Sequence, residues 1–274
     1  MAPGFARSIS LPLSPIHKKA SYHVRSVSLP CRSHPIISGV EEQIQAIRTW
    51  ATNPEQSLEW IEAGLAQIEM LHIALEDFLQ LPQTQETLRQ ATSLDRLLDD
   101  LLQQIDTYDS FVSTIIDLSQ CNSEVQSAVR RQDGAQMVSS LRSQRQVEKE
   151  ITRLTSVLKG LTKCRHFALV SDTKVLEIAG IVMDAIRATS FASVALFTVI
   201  RALSSKVTTS LKLSKKLTVN SFAKKTATEE EINALGRLQE FEECIRSIEC
   251  CSERVFRSLI CIRVSLLNIT TPSL

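Results

Sequence analysis

From Pro82 to Pro272 the chain runs without a proline. Proline costs a helix interior about 3 kcal/mol or more, because it lacks the N–H donor and its ring collides with the preceding turn. So long a gap permits long helices, and seven glycines in 274 residues argue against a turn-rich all-β fold. All but three of the eight prolines precede residue 40. Strand content close to nil is expected.

Helical periodicity fills the gap. Leu94, Leu98, Leu101, Ile105, Tyr108, Val112 and Ile115 alternate spacings of four and three, which makes a heptad seam. Phe241, Ile245, Ile248, Val255, Leu259, Ile262, Leu266 and Ile269 keep one register, with Ser252 as its polar interruption. Thr228 and Glu231 form a capping box before this run, with acids suited to the positive end of the dipole. Between the two seams, Met137, Leu141, Ile151, Leu154, Leu158 and Leu161 mark a helix after the Asp133–Gly134 turn signal. Val175 to Leu203 predicts a more apolar helix for the middle of a bundle. Shorter helices are expected over Val40–Trp50 and Leu58–Leu81, the second ending at Pro82. The reading is all-α: an elongated bundle of long antiparallel helices over 40–274, preceded by a disordered Ser/Arg/Pro-rich tail over 1–39.

Formal net charge is +1, but the charges are segregated. Residues 1–40 hold five Lys or Arg and no acid, and residues 206–225 hold six Lys and no acid. The second stretch, rich in Lys, Ser and Thr through about residue 226, reads as an exposed connection with possible weak contact to an anionic membrane. It offers Phe222 and no Arg, so nucleic acid is not an expected partner. Ala188 to Ile200 is the most apolar stretch, and as a helix it is about 20 Å long against a hydrocarbon thickness of about 30 Å. A buried core helix is expected there. Seven cysteines, an odd number, and no apolar leader in the first twenty residues point to reduced thiols inside the cell.

Candidate chemistry is thin. Cys244, Cys250, Cys251 and Cys261 share one helix, with Cys244 beside Cys251, but their spacings are not those that bring four ligands to a zinc tetrahedron. His72 and His166 are the histidines outside the tail, each in an apolar helical setting. No nucleophile elbow, HExxH or Gly-rich phosphate loop is present. No catalytic residue, metal or cofactor is expected, and the chain is not read as an enzyme.

The sharpest motif is a phrase written twice: RSISLP from Arg7 to Pro12 and RSVSLP from Arg25 to Pro30. Arginine three residues before Ser10 and Ser28 suits a basophilic kinase. Phosphorylated, each copy reads Arg-Ser-x-phosphoSer-x-Pro, similar to the ligand that 14-3-3 proteins grip with an Arg cluster. The linking residues span at most about 60 Å and average roughly 23 Å as a coil, so two anchors can engage one dimeric reader and gain avidity. The same acid-free stretch also fits an organelle transit peptide, which gives a plastid destination beside a cytoplasmic or peripheral-membrane one.

Four phrases, YHVRSVSLPCRSHP (Tyr22–Pro35), VEEQIQAIRTW (Val40–Trp50), LEDFLQLPQTQETL (Leu75–Leu88) and RVSLLNI (Arg263–Ile269), resemble in order a plant-specific family. It is the family of plant domain of unknown function 241, which includes the BYPASS-type proteins. The resemblance covers about residues 22 to 270. It implies a role associated with root and shoot development, without an established enzymatic activity or cofactor.

Overall fold

A computed structural model describes the backbone of residues 35–163, 173–218 and 224–271, and side chains there except over 212–231. Seven helices and no strand occur among the described residues: α1 (Pro35–Ala51), α2 (Leu58–Leu79), α3 (Pro82–Arg89), α4 (Leu94–Arg130), α5 (Gly134–Leu161), α6 (Thr173–Thr218) and α7 (Lys224–Thr270). The last two hold 46 and 47 residues, each about 70 Å long at 1.5 Å per residue.

Apolar spacing decides which face of each helix turns inward. On α1, Ile37, Val40, Ile44 and Ile47 are buried, the three-and-four alternation of a core-facing stripe. Every member of the α7 seam from Phe241 to Ile269 is buried, and Ser252 is fully buried among them. On α4 the buried face is broader than a two-position seam, adding Leu97, Phe111, Leu118 and Val125 while Ile105 and Val112 sit half-buried at its margin. α6 is the middle of the molecule and meets all six other helices. It is long and apolar enough to cross a membrane, but 56% of its most apolar window is buried by its neighbours.

Helix ends follow local chemistry. Ser57 caps α2 by accepting the Trp60 N–H at 3.1 Å. Between α4 and α5, Asp133 N–H reaches Ala128 O at 2.9 Å and Gln132 N–H reaches Val129 O at 3.0 Å, the paired bonds of a Schellman ending. Gln132 takes φ 55° at the left-handed position. Asp133 then caps α5, accepting from Ala135 N at 3.0 Å and Gln136 N at 2.9 Å. The turn therefore lies where Asp133–Gly134 predicts it, but Gln132 rather than Gly134 bears the unusual backbone.

Four boundaries differ from expectation. Helix begins at Pro35, not residue 40, because proline is preorganised for a first helical turn and Ile37 has a core to enter. α2 does end ahead of Pro82, at Leu79, but Pro82 opens a further, unexpected short helix, α3. The expected connection over 206–226 is helical as far as Thr218, since Ser204, Thr208 and Leu211 form a buried stripe. α7 starts at Lys224, ahead of Thr228 and Glu231, whose side chains lie outside the described residues.

Sequence neighbours α1 with α2, α4 with α5 and α5 with α6 pack closely, and α2 and α7, distant in sequence, run in the same direction. Glu62 with Ser247, Glu69 with Arg254 and His72 with Ser258 keep a constant offset along the pair. α1 closes on α2 through Trp50, which stacks on Trp60 at 4.1 Å between ring centroids. The Trp50 ring lies over Gly64, where an added Cβ would sit 2.0 Å from a ring carbon.

Gly64→Ala is therefore expected to lower stability by about 1–3 kcal/mol. Gly236→Ala, with nothing within 4 Å of the new carbon, should raise it by about 0.5–1 kcal/mol. Gln132→Gly should add about 1 kcal/mol by removing the left-handed penalty. Urea unfolding of the three variants checks these signs.

Candidate functional site

The inward face of α6 presents small hydroxyls where a core helix usually presents hydrocarbon: Thr189, Ser190, Ser193, Ser204 and Thr208, all buried. Within the helix such groups bond the carbonyl four residues back, as Ser193 does to Thr189 O at 2.7 Å and Thr208 to Ser204 O at 3.1 Å. Their oxygens then serve neighbouring helices. From α4, Gln104 donates to Ser190 Oγ and Ile186 O, both at 2.7 Å, and Tyr108 bonds Ser193 Oγ at 2.7 Å. From α5, Gln144 donates to Ser204 Oγ at 3.0 Å, and Ser204 donates to Glu148 at 2.9 Å.

His72 of α2 joins three helices. Its Nδ1 lies 2.6 Å from Ser258 Oγ on α7 and its Nε2 3.1 Å from Thr189 Oγ1 on α6. Ser258 donates its proton to Val255 O at 2.8 Å, which assigns the ring proton to Nδ1 and leaves Nε2 to accept from Thr189. The ring is 2% exposed, and burial lowers its pKa to about 3. The separation between His72 and Ser258 is that of a base and a nucleophile, but the chemistry is not. A base with that pKa is far from the pH at which it works best, and both ring nitrogens are occupied by hydroxyls.

Aromatic rings fill the space beside the seam. Phe111 and Phe197 stack at 3.7 Å, and Tyr108 meets Phe197 edge-on at 5.8 Å. Burial pushes the Tyr108 phenol well above its ordinary value, against a smaller opposing pull from Ser193. Further along α4, Asn122 donates to Glu242 at 2.6 Å and to Leu238 O at 3.0 Å, and Ser119 also donates to Glu242 at 2.7 Å. At the far end, Arg89 donates to Ile269 O at 3.3 Å and thereby caps α7.

The cysteines divide by depth. Cys244 is buried, and burial, with Glu62 and Glu59 nearby, pushes its thiol up to about 11. Cys250 and Cys261 are exposed, while Cys251 lies 3.5 Å from Arg254. Among the described residues no group of three or more His, Cys, Asp or Glu is placed to hold a metal ion. Arg7, Ser10, Pro12, Arg25, Ser28, Pro30 and His166 lie outside the described residues. Sequence reasoning found His72 but missed Gln104, Asn122 and Gln144. Their signal was a polar residue at a position the apolar spacing assigns to the core, as with Ser252.

These features define a class: an all-helical bundle in which Gln104, Tyr108, Gln144, Asn122 and His72 stitch helix to helix. The family model described as Protein BPS1 matches residues 64–269, and the chain belongs to that family. The matched span holds two of the four resembling phrases, Leu75–Leu88 and Arg263–Ile269, and starts at the glycine beneath Trp50. No curated protein and no solved structure matches the chain.

Burial of neutral His72 has a measurable consequence. Above pH 6.5 the ring is neutral folded or unfolded, and its contribution is complete. Below that, the unfolded ring binds a proton that the folded ring refuses until about pH 3, so this stability is lost as pH falls. Between pH 7 and pH 5 the group should cost about 2 kcal/mol. His72→Gln should show a correspondingly shallower loss in urea unfolding over the same interval. An unchanged pH slope would contradict the assignment.

Proposed function

We propose that this protein is a non-enzymatic regulatory scaffold of root and shoot development, a stiff helical bundle carrying a phosphorylated amino-terminal tail. Membership of the Protein BPS1 family supports the developmental process. The observation that carries the scaffold reading is the His72–Thr189–Ser258 junction. It is the one histidine described outside the tail, and its nitrogens are consumed in joining three helices. The same accounting applies to Gln104, Tyr108 and Gln144, each tied to a hydroxyl of α6.

The tail supplies the regulated part. Phosphorylation of Ser10 and Ser28 adds −1.5 to −2 charge at each site, enough for one to three charge-assisted hydrogen bonds to an Arg cluster. The paired phrases favour a dimeric reader of the 14-3-3 kind, with the bundle as the body brought to it. A second reading, a peripheral membrane or plastid-associated protein, draws on the acid-free stretches 1–40 and 206–225. There the amino terminus acts as a targeting segment and the lysines touch anionic lipid.

Capture by immobilised 14-3-3 from kinase-treated plant extract is expected for the wild-type chain and abolished by phosphatase. Ser10→Ala together with Ser28→Ala should remove it, and either change alone should weaken it by 10²-fold or more through lost avidity. Undiminished capture of the double variant refutes the switch. A mature amino terminus near residue 40 in plant tissue would favour import instead.

A further inference from the structure

α5 is an edge helix. It packs on α4 and α6, and its buried residues Gln144, Val147, Ile151, Leu154 and Leu158 all lie on the side turned toward them. The opposite side carries Arg142, Arg145, Lys149 and Arg153, all exposed. At 3.6 residues per turn these four fall within about 80° of arc. Exposed Lys159 and Lys163 prolong the ridge.

The cations are largely uncommitted. Arg153 is held by Glu150 at 2.6 Å. Among the described residues no ion pair engages Arg142, Arg145, Lys149, Lys159 or Lys163. Glu148, the other acid of α5, is turned inward to Ser204. Charge of the other sign lies elsewhere in the bundle: α4 carries seven acids against two bases, and α2 five acids and no base. The basic ridge of α5 thus lies between acidic α4 and α6, which carries seven bases against two acids, and a surface of net positive charge attracts a negatively charged one.

The chemistry of the occupant follows from the shape of the ridge. Residues 142–161 form a straight row about 30 Å long, with no aromatic residue in α5 on which a base would stack. A row of cations on a straight edge, interleaved with small Thr152 and Ser156, matches a planar array of anionic headgroups. We propose that the outer face of α5 docks this protein onto an anionic lipid bilayer through Arg142, Arg145, Lys149, Lys159 and Lys163. These residues lie outside the lysine-rich stretch 206–225 in sequence, although α5 packs beside its start, where Leu141 and Leu211 share a buried cluster, and the surface does not depend on the tail.

The test is vesicle flotation with the full chain. At 0.1 M salt, where screening extends about 10 Å, the protein should float with vesicles of phosphatidylcholine and phosphatidylserine but not with phosphatidylcholine alone. In 0.5 M salt flotation should disappear. Arg142→Glu, Arg145→Glu and Lys149→Glu combined should lower the bound fraction at least tenfold, whereas Lys215→Glu with Lys216→Glu should leave most of it. Because Arg142, Arg145 and Lys149 are exposed, far-ultraviolet circular dichroism of their variants should be unchanged. The milder Arg142→Gln, Arg145→Gln, Lys149→Gln set should give an intermediate loss. Equal flotation of the α5 variants overturns the proposal, as does a loss confined to the Lys215 and Lys216 variant. Failure to float with the serine lipid while a 30-base-pair DNA duplex is retained through the same three residues overturns it in favour of nucleic acid.

Discussion

The structure rests on hydrogen bonds from long polar side chains to the small hydroxyls of α6. Apolar contact between helices is strong but not directional, and a leucine moved by one turn meets another leucine. Gln104, Tyr108, His72 and Gln144 have no such freedom, because each has its partner at one place on α6. A slip strands both members of a buried pair, at about 1–3 kcal/mol for each unsatisfied group. Hydrophobic burial thus supplies the bulk of the stability, and these bonds select the register. Serine and threonine suit α6 twice over: they satisfy their partners and are small enough to let six helices approach one central rod.

The same economy occupies both ring nitrogens of His72. A catalytic constellation needs polar groups that converge on open space with matched protonation. Gln104, Tyr108, Gln144 and His72 instead converge on the hydroxyls of α6. His72 shows the contrast most plainly, since burial and two hydroxyl partners keep the ring neutral where a working base would need to titrate near neutrality.

Much of this was legible in the sequence, and the reasons are particular. The α7 register was readable to the residue, Ser252 included, because a helix facing neighbours along its whole length repeats its pattern without interruption. The α5 start was readable because Asp133–Gly134 signals a turn, at which Asp133 serves as the cap. The continuation of α6 through residues 204–218 was not, since Ser, Thr and Lys in alternation look like a loop until a partner helix is available to bury the hydroxyl side. Gln104, Asn122 and Gln144 were hidden for a related reason. The apolar spacing shows that a polar residue enters the core, but not its acceptor, which lies at least 60 residues away in the chain.

The stacked indoles of Trp50 and Trp60 give the molecule a built-in optical reporter. They are the protein's two tryptophans, and both lie where α1 is laid against α2 over Gly64. Intrinsic emission from the entire chain therefore registers one event, the seating of its first helix. That helix follows directly on the stretch that bears the duplicated phrase, so tension applied there would be visible without any attached dye.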